Sequence, residues 1–558
     1  MGELNKVPTD IPEEEITIPS KASFLAKAAF MVMAVTLLSR VFGLAREQVM
    51  ANYFGARTQI DAYRVAFLLP NLFRMLLADA AIASAFIPVF SSYLAKGDKK
   101  GAWQVASSVI NLMVLVLCVV LGIGMIFSRQ LIPILAPGFV LKAQTMELAV
   151  LMTRLMFPSI LFTALAGVIM GILNSYDHFT APAVAPVLWN IFIIGSIILL
   201  APEIGVISIA VGITLGSLVQ FGFQVPFLRG RGITYSLALD WRHPGVKQVG
   251  SLLVPVIISL AALDINAVVD TRFASTLITG SVASLGYAQR LWMLPLGLFA
   301  IAISTVLFPT LSKQAALDNI VAMKDSLSLG IRVIFLVVLP ASVGLMVLGI
   351  PIIRLLLEHG RFSPHDTIFT ASALFYYSVG LFAAGELFII NRAYYSLKDT
   401  KTPMVIAAIG IMINYFADWY MMNYLPVLAK MIHLPASLSY LGLAHGGIAL
   451  STSIVCIFNF FILVFILRVR LKGIDGAKIA SSGLRILIAS IALGFAAFYS
   501  WSLATQFLGV SKIGQAFAVA IAILSGGLVY LGLLLVLRVG EVKTVYNLVL
   551  ERAGKGQQ

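Results

Sequence analysis

The sequence predicts an all-α polytopic membrane protein with about fourteen transmembrane helices. Of the 558 residues, 60% are hydrophobic and only 11% are charged, whereas about a quarter of the residues in a soluble globular protein are charged. The mean hydropathy is +0.97. Apolar runs of helix-spanning length recur between short polar breaks, as helices that cross about 30 Å of hydrocarbon require.

The apolar runs define the predicted spans in chain order. They cover residues 25–48, 60–93, 103–127, 145–172, 183–201, 205–228, 247–273, 283–312, 326–350, 367–394, 403–424, 440–468, 482–505 and 514–537. An even number of spans agrees with both termini lying on one side of the membrane. Prolines inside the spans, among them Pro70 and Pro295, predict kinks.

The net charge of +14 does not indicate a nucleic-acid partner, because the basic residues collect in alternate loops. Lys96–Lys100 and Arg468–Lys478 are two such basic segments, whereas the intervening loop LAPEIGVIS contains no lysine or arginine. This asymmetry is typical of cytoplasmic loops. It predicts that both termini are cytoplasmic.

An internal repeat relates two halves of the chain. AFIPVFSSYL around Pro88 resembles VLFPTLSKQA around Pro309, and LNSYDHFTAP ending at Pro182 resembles YYSLKDTKTP ending at Pro403. Both pairs are 221 residues apart and enclose six spans. The repeat therefore predicts two parallel six-helix bundles related by a pseudo-two-fold axis along the membrane normal, which is the plan of an alternating-access transporter.

The repeat and the charge pattern together divide the chain into five parts. We expect a disordered cytoplasmic tail over residues 1–20, an N-lobe over residues 21–230 and a C-lobe over residues 231–470. Residues 471–540 add two further spans, and residues 541–558 form a cytoplasmic tail.

Four arginines in or beside the spans are candidate substrate ligands: Arg40, Arg46, Arg74 and Arg290. A charged side chain at a helix centre costs roughly 2.5–3.5 kcal/mol on insertion scales, so it normally faces a cavity or the protein interior. The planar guanidinium suits phosphate. The four predict a clamp for a diphosphate or another polyanion. The alternative is that each arginine extends to an interface or pairs with a nearby acid.

Several acids also lie inside predicted spans, and five of them are considered first. We expect Asp61 to orient an arginine or to join a gating pair, Glu47 to lie at the periplasmic mouth, and Asp79 to support the gate. Asp264 and Glu386 have no obvious partner in the sequence.

A second set of polar residues predicts a cation site in the second half. Asn414 and Asp418 are four residues apart and share one helical face, and Asp270 and Thr452 lie in neighbouring spans. Carboxylate, amide and hydroxyl oxygens are ligands that a hard cation prefers. The alternative is a local pair of Asp270 with Arg272, with the other polar groups solvating a helix end.

Motifs of soluble enzymes are absent: the sequence contains no HExxH, GxxxxGK[ST], GxSxG or CxxC. Cys118 and Cys456 lie in apolar runs and are expected to fill space. We expect no enzymatic activity, and no cofactor other than a sodium ion.

Three segments resemble the MurJ (MviN) lipid II flippases of the multidrug/oligosaccharidyl-lipid/polysaccharide exporter superfamily. They are SRVFGLAREQVMANYFGA, TQIDAYRVAFLLPNLFRMLLADAAIASAFIPVF and YAQRLWMLPLGLFAIAISTVLFPTLS. The resemblance implies a V-shaped bundle of fourteen helices in a bacterial cytoplasmic membrane. It also implies transfer of undecaprenyl-diphosphate-linked disaccharide-pentapeptide to the periplasmic leaflet, with the last two spans lining a groove for the lipid tail.

The resemblance also implies roles for individual residues. The family's essential cavity residues fall on Arg40, Arg46, Arg74, Arg290 and Asp61. The family usually has aspartate at the position of Glu47 and glutamate at that of Asp79, so the charge is kept and the reach differs by one methylene. Members with a sodium site are similar at Asp270, Asn414, Asp418 and Thr452, with a backbone carbonyl expected from Ile448.

Three functions remain open. The first is a lipid II flippase that acts as a monomer among membrane lipids, driven by an ion gradient or the membrane potential, with cell-wall synthesis or division proteins as further partners. The second is a cation-coupled exporter of drugs or other lipid-linked oligosaccharides. The third is a membrane scaffold without transport. The arginine set favours the first function, because a drug exporter would need a more apolar or acidic cavity.

Overall fold

The computed structural model describes residues 19–75, 81–237, 239–433, 435–509 and 511–542, and it describes their side chains except at 19–30, 81–84, 254–264 and 436–437. The regular structure of these ranges is helical, without a strand. The predicted tail over residues 1–20 therefore lies almost entirely outside the described residues, as do Asp79 and most of residues 541–558.

The first half contains nine α-helices within the described ranges. They are α1 (Pro19–Phe54), α2 (Thr58–Arg74), α3 (Ala81–Ala95), α4 (Lys99–Ile126), α5 (Ser128–Leu135), α6 (Ala143–Met156), α7 (Pro158–Ser175), α8 (Thr180–Ile204) and α9 (Ile207–Gln224). The rest of the described chain forms α10 (Pro244–Thr276), α11 (Ser281–Pro295), α12 (Ile301–Ala316), α13 (Ile320–Leu357), α14 (Pro364–Val379), α15 (Leu381–Ser396), α16 (Lys401–Met431), α17 (Ala444–Arg470), α18 (Gly476–Leu508) and α19 (Lys512–Val536).

The all-helical membrane class is confirmed, while the count of fourteen stays a prediction. Among the described residues, ten helical segments are long and apolar enough to cross a membrane, or eleven if α14 and α15 form one bent span. The other three predicted spans fall on α1, on α2 with α3, and on α10. Of these helices, α1, α2 and α10 carry charged residues, which lower their hydropathy and are candidates for function inside a membrane.

The internal repeat is confirmed by equivalent hydrogen bonds in the two halves. Ser91 Oγ lies 3.1 Å from Ser175 Oγ and joins α3 to α7. Ser312 Oγ lies 3.1 Å from Ser396 Oγ and joins α12 to α15. Each residue of the second pair follows its counterpart by 221 positions, the same interval that the proline motifs show. The two halves therefore share one packing plan.

The bend between α14 and α15 is 45° and occurs at Gly380. Ser453 of α17 stabilises the broken turn: its Oγ accepts from Gly380 N at 3.0 Å and donates to Tyr376 O at 2.5 Å. A Cβ at Gly380 would lie 2.5 Å from the Ser453 backbone, so only glycine permits this approach. The bend places Tyr377 at a central cavity.

The last two helices pack against each other and against α13. Tyr530 of α19 donates a hydrogen bond to Leu336 O of α13 at 2.6 Å. Their outer faces are apolar, and Phe495 and Phe507 of α18 are exposed. Such a face suits contact with lipid. The predicted lipid-tail groove over residues 471–540 stays a prediction.

Candidate functional site

The centre of the candidate site is Glu47 on α1, which is 2% exposed. Its Oε1 accepts a hydrogen bond from Arg46 Nη2 at 2.9 Å, and its Oε2 accepts one from Arg64 Nη2 at 2.5 Å. Arg290 Nε of α11 lies 3.6 Å from Oε1. One carboxylate therefore joins arginines from three helices in both halves, and this arginine cluster has a net charge of +2, from three guanidinium groups and one carboxylate.

The structure bears on two residues of this region. Glu47 is buried beneath the arginines, where a carboxylate requires charged partners, and its location at a periplasmic mouth stays a prediction. Arg64 was not among the predicted ligands, although it lies inside the second predicted span, near its start and three residues after Asp61. That position inside an apolar run is the signal that could have identified it.

Aromatic rings hold two arginines of the cluster in place. The Arg46 guanidinium lies 5.1 Å from the Trp189 ring centre, and that of Arg64 lies 5.1 Å from the Tyr287 ring centre. Such cation–π contacts are favourable at desolvated sites. A Cβ on Gly286 would lie 2.7 Å from Arg64 Nε, so the guanidinium lies directly against the α11 backbone. The cluster is thus preorganised before any ligand binds.

Arg40 contacts the second half at a separate place. It is half-buried, and a Cβ on Gly297 would lie 2.0 Å from its Nη1. Gly297 belongs to a π-helical turn, Leu296–Ala300, that directly follows Pro295. The helix is therefore irregular directly after Pro295, where the predicted kink stays a prediction, and π turns often occur at functional sites.

Arg74 lies at the end of α2, away from Glu47. Its Nη2 donates to Asn71 Oδ1 at 3.2 Å. Ten residues separate it from Arg64, roughly 15 Å along a helix. The structure therefore joins Arg46 and Arg290 of the four predicted arginines, whereas Arg40 lies against Gly297 and Arg74 lies at the end of α2.

Asp61 caps a helix of the opposite half. The carboxylate is 4% exposed and accepts from Gly280 N at 2.6 Å and from Ala283 N at 2.7 Å, at the start of α11. The expectation that Asp61 orients an arginine is therefore wrong. Its contact lies between the two halves, which is where a gate would act.

Further backbone contacts close the same end of the molecule. Tyr287 OH donates to Gly55 O at 3.2 Å, and Arg361 N donates to Asn52 O at 2.8 Å. Gly360 has φ +56°, and a Cβ there would lie 2.3 Å from Asn52 O. The connection between α1 and α2 is thus sealed against the second half.

The predicted cation-site residues come together on three helices. Asn414 Nδ2 lies 2.6 Å from Asp270 Oδ1 and 3.3 Å from Asp418 Oδ2. Thr452 Oγ1 lies 3.3 Å from Asp270 Oδ2 and 3.4 Å from Ile448 O. Asp418 is fully buried, and its Oδ1 has no hydrogen-bond partner among the described residues.

The chemistry of this acidic site fits a hard cation. Two carboxylates, a hydroxyl and a carbonyl supply oxygen ligands, and the Asn414 amide would add a fourth type after rotation about its terminal bond. The alternative local pair is wrong, because Arg272 Nη1 donates to Ile134 O at 2.7 Å. Within the described chain, no group of three or more His, Cys, Asp or Glu residues could hold a metal ion, so these mixed oxygens remain the candidate.

A cavity of about 130 Å³ joins the two sites. Arg64 and Arg290 line it together with Asp270 and Tyr377. This volume admits a few water molecules and is far too small for a large amphiphile. The cavity therefore brings cationic and acidic groups together at the interface between the halves.

Comparison with known proteins gives a consistent result along most of the chain. The family described as Lipid II flippase MurJ matches residues 50–513. The lipid II flippase MurJ of Burkholderia cenocepacia is 32% identical over 452 residues, which are 80% of this chain and 84% of that protein. A probable lipid II flippase MurJ of Buchnera aphidicola is 32% identical over 441 residues, which are 79% of this chain and 83% of that protein.

Solved structures show the same similarity. A lipid II flippase MurJ in an inward closed conformation matches with a TM-score of 0.73 and 27% identity, over 90% of this chain and 98% of that one. An inward-facing multidrug resistance MATE family transporter of the MOP superfamily matches with a TM-score of 0.62 over 80% of this chain and 98% of that one. At 16% identity, the second match indicates a shared fold alone.

Proposed function

Because this chain belongs to the lipid II flippase MurJ family, we propose that it moves lipid II from the cytoplasmic to the periplasmic leaflet of a bacterial cytoplasmic membrane by alternating access. The observation that carries this proposal is the arginine cluster around Glu47, with its net charge of +2 between the two halves. A membrane-embedded cationic site of this kind suits the diphosphate of a polyprenyl-linked substrate.

Arg290 is the arginine best placed to receive the diphosphate. Its side chain is 48% exposed and only 3.6 Å from Glu47, whereas Arg46 and Arg64 are held in hydrogen bonds to that carboxylate. A diphosphate that entered the cavity would compete with Glu47 for the three guanidinium groups. When no diphosphate is bound, the Glu47 carboxylate would take its place as the anion and keep the site folded.

Transport requires the two halves to separate first at one end and then at the other. In this structure, Asp61 and the backbone contacts around Gly55 join the two halves at one end. We assign that end to the periplasm, since the basic loops lie at the opposite ends of the helices. Both termini are then cytoplasmic, and α18 with α19 would guide the lipid tail beside the opening.

The acidic site is proposed to bind sodium. A cation among Asp270, Asn414, Asp418, Thr452 and Ile448 O would neutralise two neighbouring buried carboxylates, which are costly without a counter-charge. Since the site shares a cavity with Arg290, ion binding can influence the arginines. An ion gradient, the membrane potential or both would drive the cycle. Because the proposed cycle contains no covalent step, we propose a transporter rather than an enzyme. We further propose that it acts as a monomer and works with cell-wall synthesis or division proteins.

The test is depletion of the flippase in a bacterium and rescue with variants, while lipid II is measured at the outer leaflet. Arg64→Ala and Arg290→Ala should abolish rescue and outer-leaflet lipid II, although both proteins insert. The matched control is Arg129→Ala, because Arg129 forms an exposed pair with Glu147 and is 68% exposed. Full rescue by Arg290→Ala would contradict the proposal.

The acidic site favours one alternative function, a cation-coupled exporter of drugs or other lipid-linked oligosaccharides. Such an exporter would use Asp270 and Asp418 and would not need the arginines. Expression of the chain in a drug-sensitive host separates the two functions: resistance that persists in Arg290→Ala but is lost in Asp418→Ala would support the exporter.

A further inference from the structure

A second polar cavity lies between α13, α18 and the chain after α19, apart from the arginine cluster. Its volume is about 390 Å³, within the range of roughly 300–1,000 Å³ typical of ligand pockets. Arg332, Lys478, Ser482, Arg485 and Glu541 line it. The proposed transport of lipid II assigns no role to these residues.

The polar groups of this cavity are mainly donors. Arg332 forms an ion pair with Glu541, whose side chain is 3% exposed, so this pair is neutral and holds the wall together. Arg485 is exposed, and its Nη1 donates to Leu537 O at 3.3 Å, which leaves further N–H groups for a ligand. Lys478 is 69% exposed and forms an ion pair with Asp475 at 3.0 Å.

A buried hydroxyl adds an independent observation. Ser482 is 8% exposed, and its Oγ has no hydrogen-bond partner among the described residues. A buried hydroxyl without a partner is unfavourable. In the wall of a cavity that also holds Arg485 and Lys478, it is placed to donate to an anion.

The cavity lies at the depth of lipid headgroups. Helix α18 has 33 residues, roughly 50 Å at 1.5 Å per residue, so its ends extend beyond about 30 Å of hydrocarbon. The outward apolar surface begins at Leu484, 59% exposed, and continues through Ile488. Arg485 is therefore at the boundary where the phosphate of a lipid meets its acyl chains.

We propose that this cavity binds the phosphate of an anionic phospholipid, with the acyl chains lying along the outer face of α18. The guanidinium of Arg485, the ammonium of Lys478 and the hydroxyl of Ser482 would donate to the phosphate oxygens. We place this lipid in the cytoplasmic leaflet, and that placement rests on the orientation proposed above. The binding site itself does not depend on the orientation. A bound lipid would fasten α18 to α13 and to the end of α19.

The test uses the full-length protein in neutral detergent, with bound lipid counted by native mass spectrometry during titration with phosphatidylglycerol or phosphatidylcholine. Phosphatidylglycerol should bind selectively, and the double variant Lys478→Gln/Arg485→Gln should weaken its binding about thirty-fold. Ser482→Ala should weaken it by a smaller factor. Arg332 is left intact, because its loss would leave Glu541 as an unpaired buried carboxylate.

The matched control is Lys99→Gln/Lys100→Gln, which removes two exposed lysines from another basic segment and should leave binding unchanged. Equal binding of both phospholipids, or an unchanged phosphatidylglycerol affinity in the double variant, would overturn the proposal. Displacement of phosphatidylglycerol by millimolar inorganic phosphate, with no lipid selectivity left, would assign the site to free phosphate and overturn it as well.

A third arm separates this site from the transport pathway. If the double variant loses lipid II binding but keeps phosphatidylglycerol binding, the cavity belongs to the substrate and the proposal fails. If it loses phosphatidylglycerol binding while lipid II still binds and Arg290→Ala still abolishes transport, both proposals stand. The single variant Lys478→Gln changes an exposed position and should fold normally. A three-fold or greater loss of phosphatidylglycerol affinity in this variant would support the site.

Discussion

Replacement of Glu47 by glutamine should destabilise the protein strongly, although it changes only one atom of the side chain. Glu47 accepts hydrogen bonds from Arg46 and Arg64 and lies 3.6 Å from Arg290. The amide of Glu47→Gln carries no charge, and its NH₂ group would face a guanidinium. Three arginines would then share the space between the halves without a counter-ion.

The size of the effect follows from the two short contacts. Hydrogen bonds to charged groups contribute about 1.5–3 kcal/mol each, and loss of one partner from a buried ion pair costs about 3–5 kcal/mol. The contact with Arg290 adds little, because that side chain is 48% exposed and solvent screens it. We expect the free energy of unfolding to fall by about 3 kcal/mol, or roughly a 150-fold change in the equilibrium constant.

The measurement is reversible unfolding in mixed micelles, followed by tryptophan fluorescence. Trp189 stacks on Arg46 and reports on the cluster directly. Glu203→Gln is the matched control, since Glu203 is an exposed glutamate near the end of α8, and it should change stability by less than about 0.5 kcal/mol. A double-mutant cycle with Arg64→Gln should give a coupling energy above about 1.5 kcal/mol.

Inorganic diphosphate provides the decisive comparison. If the cluster is an anion site that Glu47 fills when empty, millimolar diphosphate should restore much of the stability that Glu47→Gln loses, and it should stabilise the parent protein less. The reasoning would be refuted if Glu47→Gln were as stable as the parent, or if diphosphate stabilised neither protein.

Three further predictions concern other charged groups. Asp61→Ala should lower the free energy of unfolding by about 1–3 kcal/mol, because two backbone amides lose their acceptor. Asp61→Asn keeps an acceptor and should lower it by less, and equal stability of the parent and both variants would contradict this prediction. Sodium should raise the melting temperature of the parent relative to potassium but not that of Asp418→Ala, whereas identical melting temperatures of the parent in the two salts would oppose a sodium site. Glu386→Met should raise the free energy of unfolding by about 1–3 kcal/mol, because Glu386 is fully buried and neither carboxylate oxygen has a hydrogen-bond partner among the described residues. A lower free energy of unfolding in this variant would contradict the prediction.

The repeat was predictable because its signals are local. Proline motifs recur at an interval of 221 residues. In the structure, two helix N-caps are separated by the same interval. Asp98 accepts from the backbone N–H of Gly101 at the start of α4, and Asn319 accepts from that of Ala322 at the start of α13. Turn and cap residues act within a few positions of themselves, so a linear pattern preserves them.

The acidic site was predictable for a similar reason. Asn414 and Asp418 are four residues apart, and helix geometry alone places them on one face. Asp270 had to be added from the general cost of a carboxylate inside a membrane. The structure brings all three within hydrogen-bonding distance.

The contacts of the arginine region were less predictable, because they join helices far apart in the chain. Asp61 accepts from the backbone N–H of Gly280, the N-cap residue of α11, about 220 positions later, and nothing near Asp61 in the sequence encodes that partner. Glu47 follows Arg46 directly, yet the sequence does not show that Glu47 also pairs with Arg64 of α2 and Arg290 of α11. The charge of Arg64 inside a span could have identified it as a candidate, but not the neighbours that it contacts.

The imbalance of three arginines over one glutamate has an electrical consequence for a transport cycle. A diphosphate with about two negative charges would nearly cancel the net charge of the arginine cluster, so the loaded protein would move little charge through the membrane field. The empty protein would return with two uncompensated positive charges. Each charge that crosses the full field gains about 2.3 kcal/mol per 100 mV. A potential that is negative inside would then accelerate the return of the empty site toward the cytoplasm and leave the loaded step almost unaffected.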